Sequence, residues 1–217
     1  MFELPLFPLK SVLFPGTPIQ LHIFEERYKA MMDMCIQKHL PFGVVLIQRG
    51  VEALGSLAEP YSIGCTAQII HVQRLEEGRM NIVALGRKRF RILSIDRGTH
   101  PYLMSRVQEF PLAKPFPKAI EGQVTRLHQQ VERFIQVVIE AGGGKFDAQQ
   151  LPQDPVALAY VAAALLQVPP EQKQQLLALD RAEELLVSVQ SAYRKELALL
   201  QATLSGHSAQ MGSFSQN

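Results

Sequence analysis

Apolar and polar positions follow two different rhythms along this chain. In the first half they come as short apolar runs and two-residue alternations, punctuated by Gly and Pro. The segments 42–47, 65–72, 79–85, 89–95 and 102–107 each read as strands. Phe90 and Ile92 alternate with Arg89, Arg91 and Leu93, and Leu75-Glu76-Glu77-Gly78 reads as a hairpin turn whose Gly supplies a positive φ. One helix interrupts the set. Over residues 25–39, Tyr28, Met31, Met32 and Cys35 recur at i, i+3, i+4 and i+7, the single apolar face of an amphipathic helix. A small, curved, mixed sheet carrying one helix is expected for residues 1–110.

The second half steps by threes and fours. Ile120, Val124, Leu127, Val131, Phe134 and Val138 form one seam, ended by Gly142-Gly143-Gly144. Asp154-Pro155 starts a second helix, with Asp as N-cap and Pro at the first helical position. Val168-Pro169-Pro170 stops it, residues 170–179 give a short helix, and Asp180 opens the last one. There Ala182, Leu186, Val189, Tyr193, Leu197, Leu200 and Leu204 line one face. Helices joined by short links form a bundle, expected over 118–204. Three prolines within 111–117 read as a stiff connector between the halves. Residues 205–217, small and polar, read as a disordered tail. The fold class is therefore α+β.

Composition narrows the function classes. Hydrophobic residues make up 47% of the 217 residues and charged ones 19%, as in ordinary globular domains. The longest apolar run, residues 156–166, is too short to span a bilayer, and no signal peptide is evident at the N-terminus. Cys35 and Cys65 suggest neither a disulfide framework nor a metal site, so a cytoplasmic location without membrane contact is expected. Residues 1–110 carry a net charge of +3 and residues 111–217 one of −1, which disfavours nucleic acid as a partner on charge alone.

Candidate chemistry is sparse. Gly142-Gly143-Gly144-Lys145 fails as a phosphate loop, because Phe146 stands where Ser or Thr would hold magnesium and no strand precedes the glycines. His128 and Glu132 lie four apart on a helix without a third metal ligand and read as a surface pair. Cys35 reads as a buried structural thiol. No Gly-x-Ser-x-Gly elbow surrounds any serine. No cofactor is expected. In the basic run Arg87-Lys88-Arg89-Phe90-Arg91, a strand puts Arg87, Arg89 and Arg91 on one face, a candidate anion or RNA contact. The alternative is a solvated edge strand. Met31, Met32 and Met34 cluster on the first helix. Core is the simpler reading, and Met34, off the main seam, is the one expected at the surface.

The opening names a family more readily than an activity. Leu4-Pro5-Leu6-Phe7-Pro8-Leu9, Leu13-Phe14-Pro15-Gly16 and His22-Ile23-Phe24-Glu25-Glu26-Arg27-Tyr28 are short extended pieces broken by turns and running into a helix. They resemble the start of the N-terminal, substrate-recognition domain of the ATP-dependent Lon protease. Phe42-Gly43-Val44-Val45-Leu46 is similar to the family's Phe-Gly-apolar strand. Ile63-Gly64-Cys65-Thr66-Ala67 is similar to its Gly-Thr-x-Ala element, with Cys65 inserted. Gly86-Arg87-Lys88-Arg89-Phe90 is similar to its Gly-x-x-Arg-Phe element, and Pro101-Tyr102-Leu103 to the strand after it. Leu151-Pro152 and residues 171–177 resemble the helical part. Glu184-Leu185 departs from the family's Arg-Leu.

The resemblance covers about residues 3–203. It implies a PUA-like β subdomain followed by a helical bundle. It also implies a non-catalytic module that captures unfolded or regulatory polypeptides. The ATPase and Ser-Lys peptidase domains of Lon lie beyond the matched part, so no enzyme activity is expected. The partners implied are such polypeptides, a separate protease or chaperone, and a second copy of the chain. Phe14, Phe24 and Met34 are the candidate polypeptide contacts, with a place in the core as the alternative for all three. The rival readings are an RNA-binding PUA-like protein, using Arg87, Arg89 and Arg91, and an oligomerising scaffold.

Overall fold

The structure, a computed structural model, describes residues 1–51, 58–113, 121–142 and 151–212, with the backbone alone at 121, 138–142 and 201–212. The chain divides into two compact units: Met1–Lys114 with Val168–Arg181, and Pro115–Gln167 with Ala182–Asn217. The first holds the described strands: β1 (Phe2–Leu9), β2 (Pro18–Ile23), β3 (Phe42–Arg49), β4 (Glu59–Pro60), β5 (Ile63–Arg74), β6 (Met80–Asp96) and β7 (Met104–Glu109). Helices α1 (Glu26–Lys38) and α4 (Pro170–Leu177) complete it.

Five strands close on themselves. β1 pairs antiparallel with β7, β7 with β6, β6 with β5 and β5 with β3, and β3 returns to β1 in parallel. The result is a small barrel whose interior is filled by side chains. Leu4, Leu6, Val45, Phe90, Leu103 and Val107 pack inside it. Gly43 and Gly64 make room for the Phe90 ring, since a Cβ at either would stand 2.7 Å from its tip. The opposite face of the same strands carries a second core. There Phe7, Leu9, Phe42 and Val44 meet Tyr28, Met31, Met32 and Cys35 of α1, so the apolar seam read from sequence is the buried face of that helix. Met32 and Met31 are core. Met34 is only partly buried, against the edge of this cluster.

The β5–β6 hairpin extends past the barrel, and β2 adds to the outer half of β6. The two segments read as separate strands on either side of Gly86 are one strand, β6. The turn at its start has positive φ at Gly78 and also at Glu77. A second turn anchors the start of β2. Thr17 N–H donates to Phe14 O at 3.2 Å, with Pro15 and Gly16 (φ 78°) at the central positions of a type II turn. Gly16 N–H donates to Gly86 O and Gly86 N–H to Thr17 O, a bulge whose first residue must be left-handed.

The second unit contains α2 (Glu121–Gly142), α3 (Pro155–Leu165) and α5 (Ala182–Gly212). Leu127, Val131 and Phe134 of α2 and Ala182, Leu186, Val189 and Tyr193 of α5 are buried, as their spacing predicts. Tyr193 meets Phe134 edge-on and donates its hydroxyl to Ala162 O at 2.9 Å. Asp154 caps α3 through Ala157 N–H, and His128 and Glu132 pair at 3.1 Å along α2. Ile120, the glycine run beyond Gly142, Lys145 and the connector from 114 onward lie outside the described residues. Two expectations differ. Residues 205–212, read as the start of a tail, are helical within α5, while 213–217 lie outside the description. The segment Val168–Arg181, grouped by its rhythm with the bundle, belongs to the β unit.

Candidate functional site

The basic run is not one surface. Ala67 pairs with Gly86 and Cys65 with Arg89, so Thr66 alone faces both Arg87 and Lys88. This is a bulge, and Thr66 fills it by accepting from Lys88 N–H through Oγ1, at 3.0 Å. The extra residue breaks the alternation: Arg87 and Lys88 are both exposed, while Arg89 and Phe90 are both buried. Arg89, 3% exposed, donates through one guanidinium nitrogen to Leu177 O and Leu179 O, both at 2.6 Å. It thereby satisfies carbonyls at the C-terminal end of α4 that the helix cannot satisfy itself. Arg89 and Arg91 both lie over the Phe110 ring, at 4.6 and 4.3 Å. Arg91 also approaches Asp180, at 3.9 Å. The expected three-guanidinium face is thus corrected: Arg89 is an internal strut and Arg91 is engaged beside it. Arg87 projects at the bulge.

Of the three apolar candidates, Phe14 is fully buried behind the Pro15-Gly16 turn, which corrects its reading as a surface contact. Met34 is partly buried. Phe24 is 44% exposed at the junction of β2 and α1, stacked beside His22 at 5.9 Å. It belongs to a groove of about 360 Å³ lined also by Phe7, Leu9, Leu21, Ile23 and Tyr28. Phe7 and Tyr28 pack at 4.4 Å between centroids. Gln20, His22 and Glu25 contribute the polar part of the lining.

The groove adjoins a strand edge. β2 pairs with β6, and among the described residues no strand pairs with its other edge. The bulge fixes the phase. Because Thr17 O is bonded to Gly86, alternation directs the backbone groups of Ile19, Leu21 and Ile23 toward β6 and those of Pro18, Gln20 and His22 outward. Pro18 suits that pattern, since it has no N–H to offer on either side. On the outward-facing side chains, His22 Nδ1 and Asn81 Oδ1 lie 2.7 Å apart, and Asn81 donates to Gln73. Sequence reading found Phe24 but not Phe7, Leu9, Leu21 or Ile23. The alternation of Ile19, Leu21 and Ile23 with Pro18, Gln20 and His22 was the available signal.

Neither thiol is placed for chemistry. Burial pushes Cys35 up to about 11. It pushes Cys65 up to about 12, against smaller opposing effects from the Arg87 backbone and the Arg89 charge. Among the described residues no three His, Cys, Asp or Glu side chains converge as a metal site. No helix among them is long and apolar enough to cross a membrane.

Comparison with known proteins agrees with this architecture. The Lon protease of Anaeromyxobacter dehalogenans is 26% identical over 176 residues, covering 80% of this chain and 21% of its own length. That of Paraburkholderia phytofirmans is 27% identical over 174 residues, covering 79% and 22%. The chain therefore spans about a fifth of the length of the curated relatives it matches. Among solved structures, the Lon N-terminal domain protein from Xanthomonas campestris superposes with a TM-score of 0.65 at 25% identity, over 88% of this chain and 98% of that one. The N-terminal domain of the Mycobacterium avium complex Lon protease does so at 0.66, with 20% identity over 89% and 98%, a likeness of fold. The family model for the ATP-dependent protease La (LON) substrate-binding domain matches residues 3–192. Since that match spans most of the chain, from β1 into the first turns of α5, the chain belongs to the Lon substrate-binding domain family.

Proposed function

We propose that this chain recognises polypeptides by taking extended, apolar segments of unfolded or regulatory proteins along the free edge of β2. The observation that carries the reading is the coincidence of outward backbone groups at Gln20 and His22 with the apolar groove around Phe24. An added strand gains main-chain hydrogen bonds, and alternate side chains enter the groove. Apolar burial contributes about 25 cal/mol per Å². Met34, partly buried on the same unit, is a secondary candidate contact. Two buried, unpaired cysteines are compatible with a reducing compartment such as the cytoplasm.

The test is fluorescence anisotropy of a labelled, permanently unfolded polypeptide titrated with the intact chain, with structured RNA as competitor. Saturable binding that RNA leaves in place is expected, and Phe24→Ser should weaken it about tenfold or more, the scale of one exposed aromatic buried on binding. Displacement by RNA would favour the nucleic-acid reading instead. Delivery of captured segments to a separate protease or chaperone is part of the proposal. Adding the chain to such a protease should change the degradation rate of a bound client, and no change for any bound client would remove that part.

A further inference from the structure

A second depression, of about 310 Å³, lies beside the β6 bulge and is lined by Phe2, Pro41, Gln68, Arg87, Lys88 and Glu109 among others. Phe2 is 37% exposed and lines the depression together with Arg87 and Lys88. The charges around it are unequal in what they have left to offer. Lys88 Nζ is held by Glu109 at 2.7 Å. The guanidinium of Arg89 is turned inward to the α4 carbonyls. Arg87 is exposed and placed at the rim by the bulge, the kind of local device that re-aims a side chain. The site thus combines one outward guanidinium, the amide of Gln68 and an apolar wall of Phe2 and Pro41.

We propose that this depression takes the C-terminal carboxylate of a polypeptide ending in an apolar residue, an inference that rests on the polypeptide-binding reading above. The argument is charge and shape complementarity. A guanidinium grips a carboxylate through two parallel N–H···O bonds, and an amide N–H adds a third donor. A terminal apolar residue carries its carboxylate and its side chain on the same Cα, so one residue satisfies both the Arg87 end and the Phe2–Pro41 wall. An internal Asp or Glu brings the charge without the apolar body. A nucleic-acid backbone brings several phosphates to a depression whose described lining offers one outward cation, Arg87.

Two fluorescein-labelled peptides with the same Gly-Ser-rich body and a Leu-Phe end, one a free acid and one a C-terminal amide, test this against the intact chain. The acid should bind about five- to tenfold more tightly than the amide, the scale of a charge-assisted pair at a partly screened site. Arg87→Gln should erase the difference and Arg87→Lys should retain part of it. Arg87 is exposed, so circular dichroism should report a folded Arg87→Gln variant. Equal affinity of acid and amide for the unaltered chain would overturn the proposal. So would a preference that survives Arg87→Gln. An amide-ended peptide with an internal Glu that binds as tightly as the free acid would also overturn it, as would displacement by a uridine-rich oligonucleotide. If acid and amide bind equally while Phe24→Ser still weakens capture of the long unfolded chain, the groove reading stands and this one falls.

Discussion

Phe90 fills the barrel because residues 43 and 64 carry no Cβ, and Arg89, one position before it, faces the other way and holds α4. The motif Gly86-x-x-Arg89-Phe90 is therefore architectural: a glycine that fits against the Phe14 turn, a bulge, a strut and a core ring. Arg89→Met should cost about 2–4 kcal/mol, since two charge-assisted hydrogen bonds to buried carbonyls are lost. Hydrogen exchange should report the loss first in α4, whereas Arg87→Gln should change stability by less than about 0.5 kcal/mol. The thiols supply a pH test. Cys35 and Cys65 titrate higher folded than unfolded, so the folded chain binds protons the unfolded chain has released. Their contribution is complete below about pH 9 and is lost as pH rises toward about 11 and 12. Denaturant midpoints should fall over that window, and a thiol-specific disulfide reagent at pH 8 should modify neither cysteine until the chain unfolds.

Among the elements, β2 carries the functional argument. Its edge can be closed without removing its pairing to β6. Gln20→Pro deletes an outward N–H and should leave the fold intact while weakening capture of an unfolded chain. Leu21→Pro deletes an N–H that serves β6 and should destabilise the β unit itself. Thermal melts and anisotropy on the two variants separate these effects. The seams of α1, α2 and α5 were legible in the sequence because a 3.6-residue period survives any tertiary context. The docking of α4 was not, because it depends on Arg89, 88 residues before Leu177. The three-arginine face failed for a related reason: a single extra residue in β6 shifts the side-chain phase, and only pairing with Thr66 reveals it. Phe14 was open to either reading in the sequence, contact or core, and the Phe14–Thr17 turn leaves it buried.

At the scale of the whole molecule, a net charge of +2 and a groove lined by aromatic and aliphatic side chains make the proposed recognition depend on apolar burial more than on charge. Raising salt should therefore change capture of an unfolded polypeptide little, in contrast to a binder of phosphate backbones. The family resemblance and the fold were readable from ordered local motifs. The groove was only partly so, since Phe7, Leu9, Leu21, Ile23 and Tyr28 are apolar residues of the kind any core contains, and what distinguishes them is proximity to an unpaired edge. The most direct test is a proton–nitrogen correlation spectrum of the isotope-labelled chain titrated with an unlabelled, permanently unfolded polypeptide. The account predicts saturable shifts concentrated at residues 20–24 and Tyr28. Shifts confined to the helical unit, or none at saturating polypeptide, would contradict it.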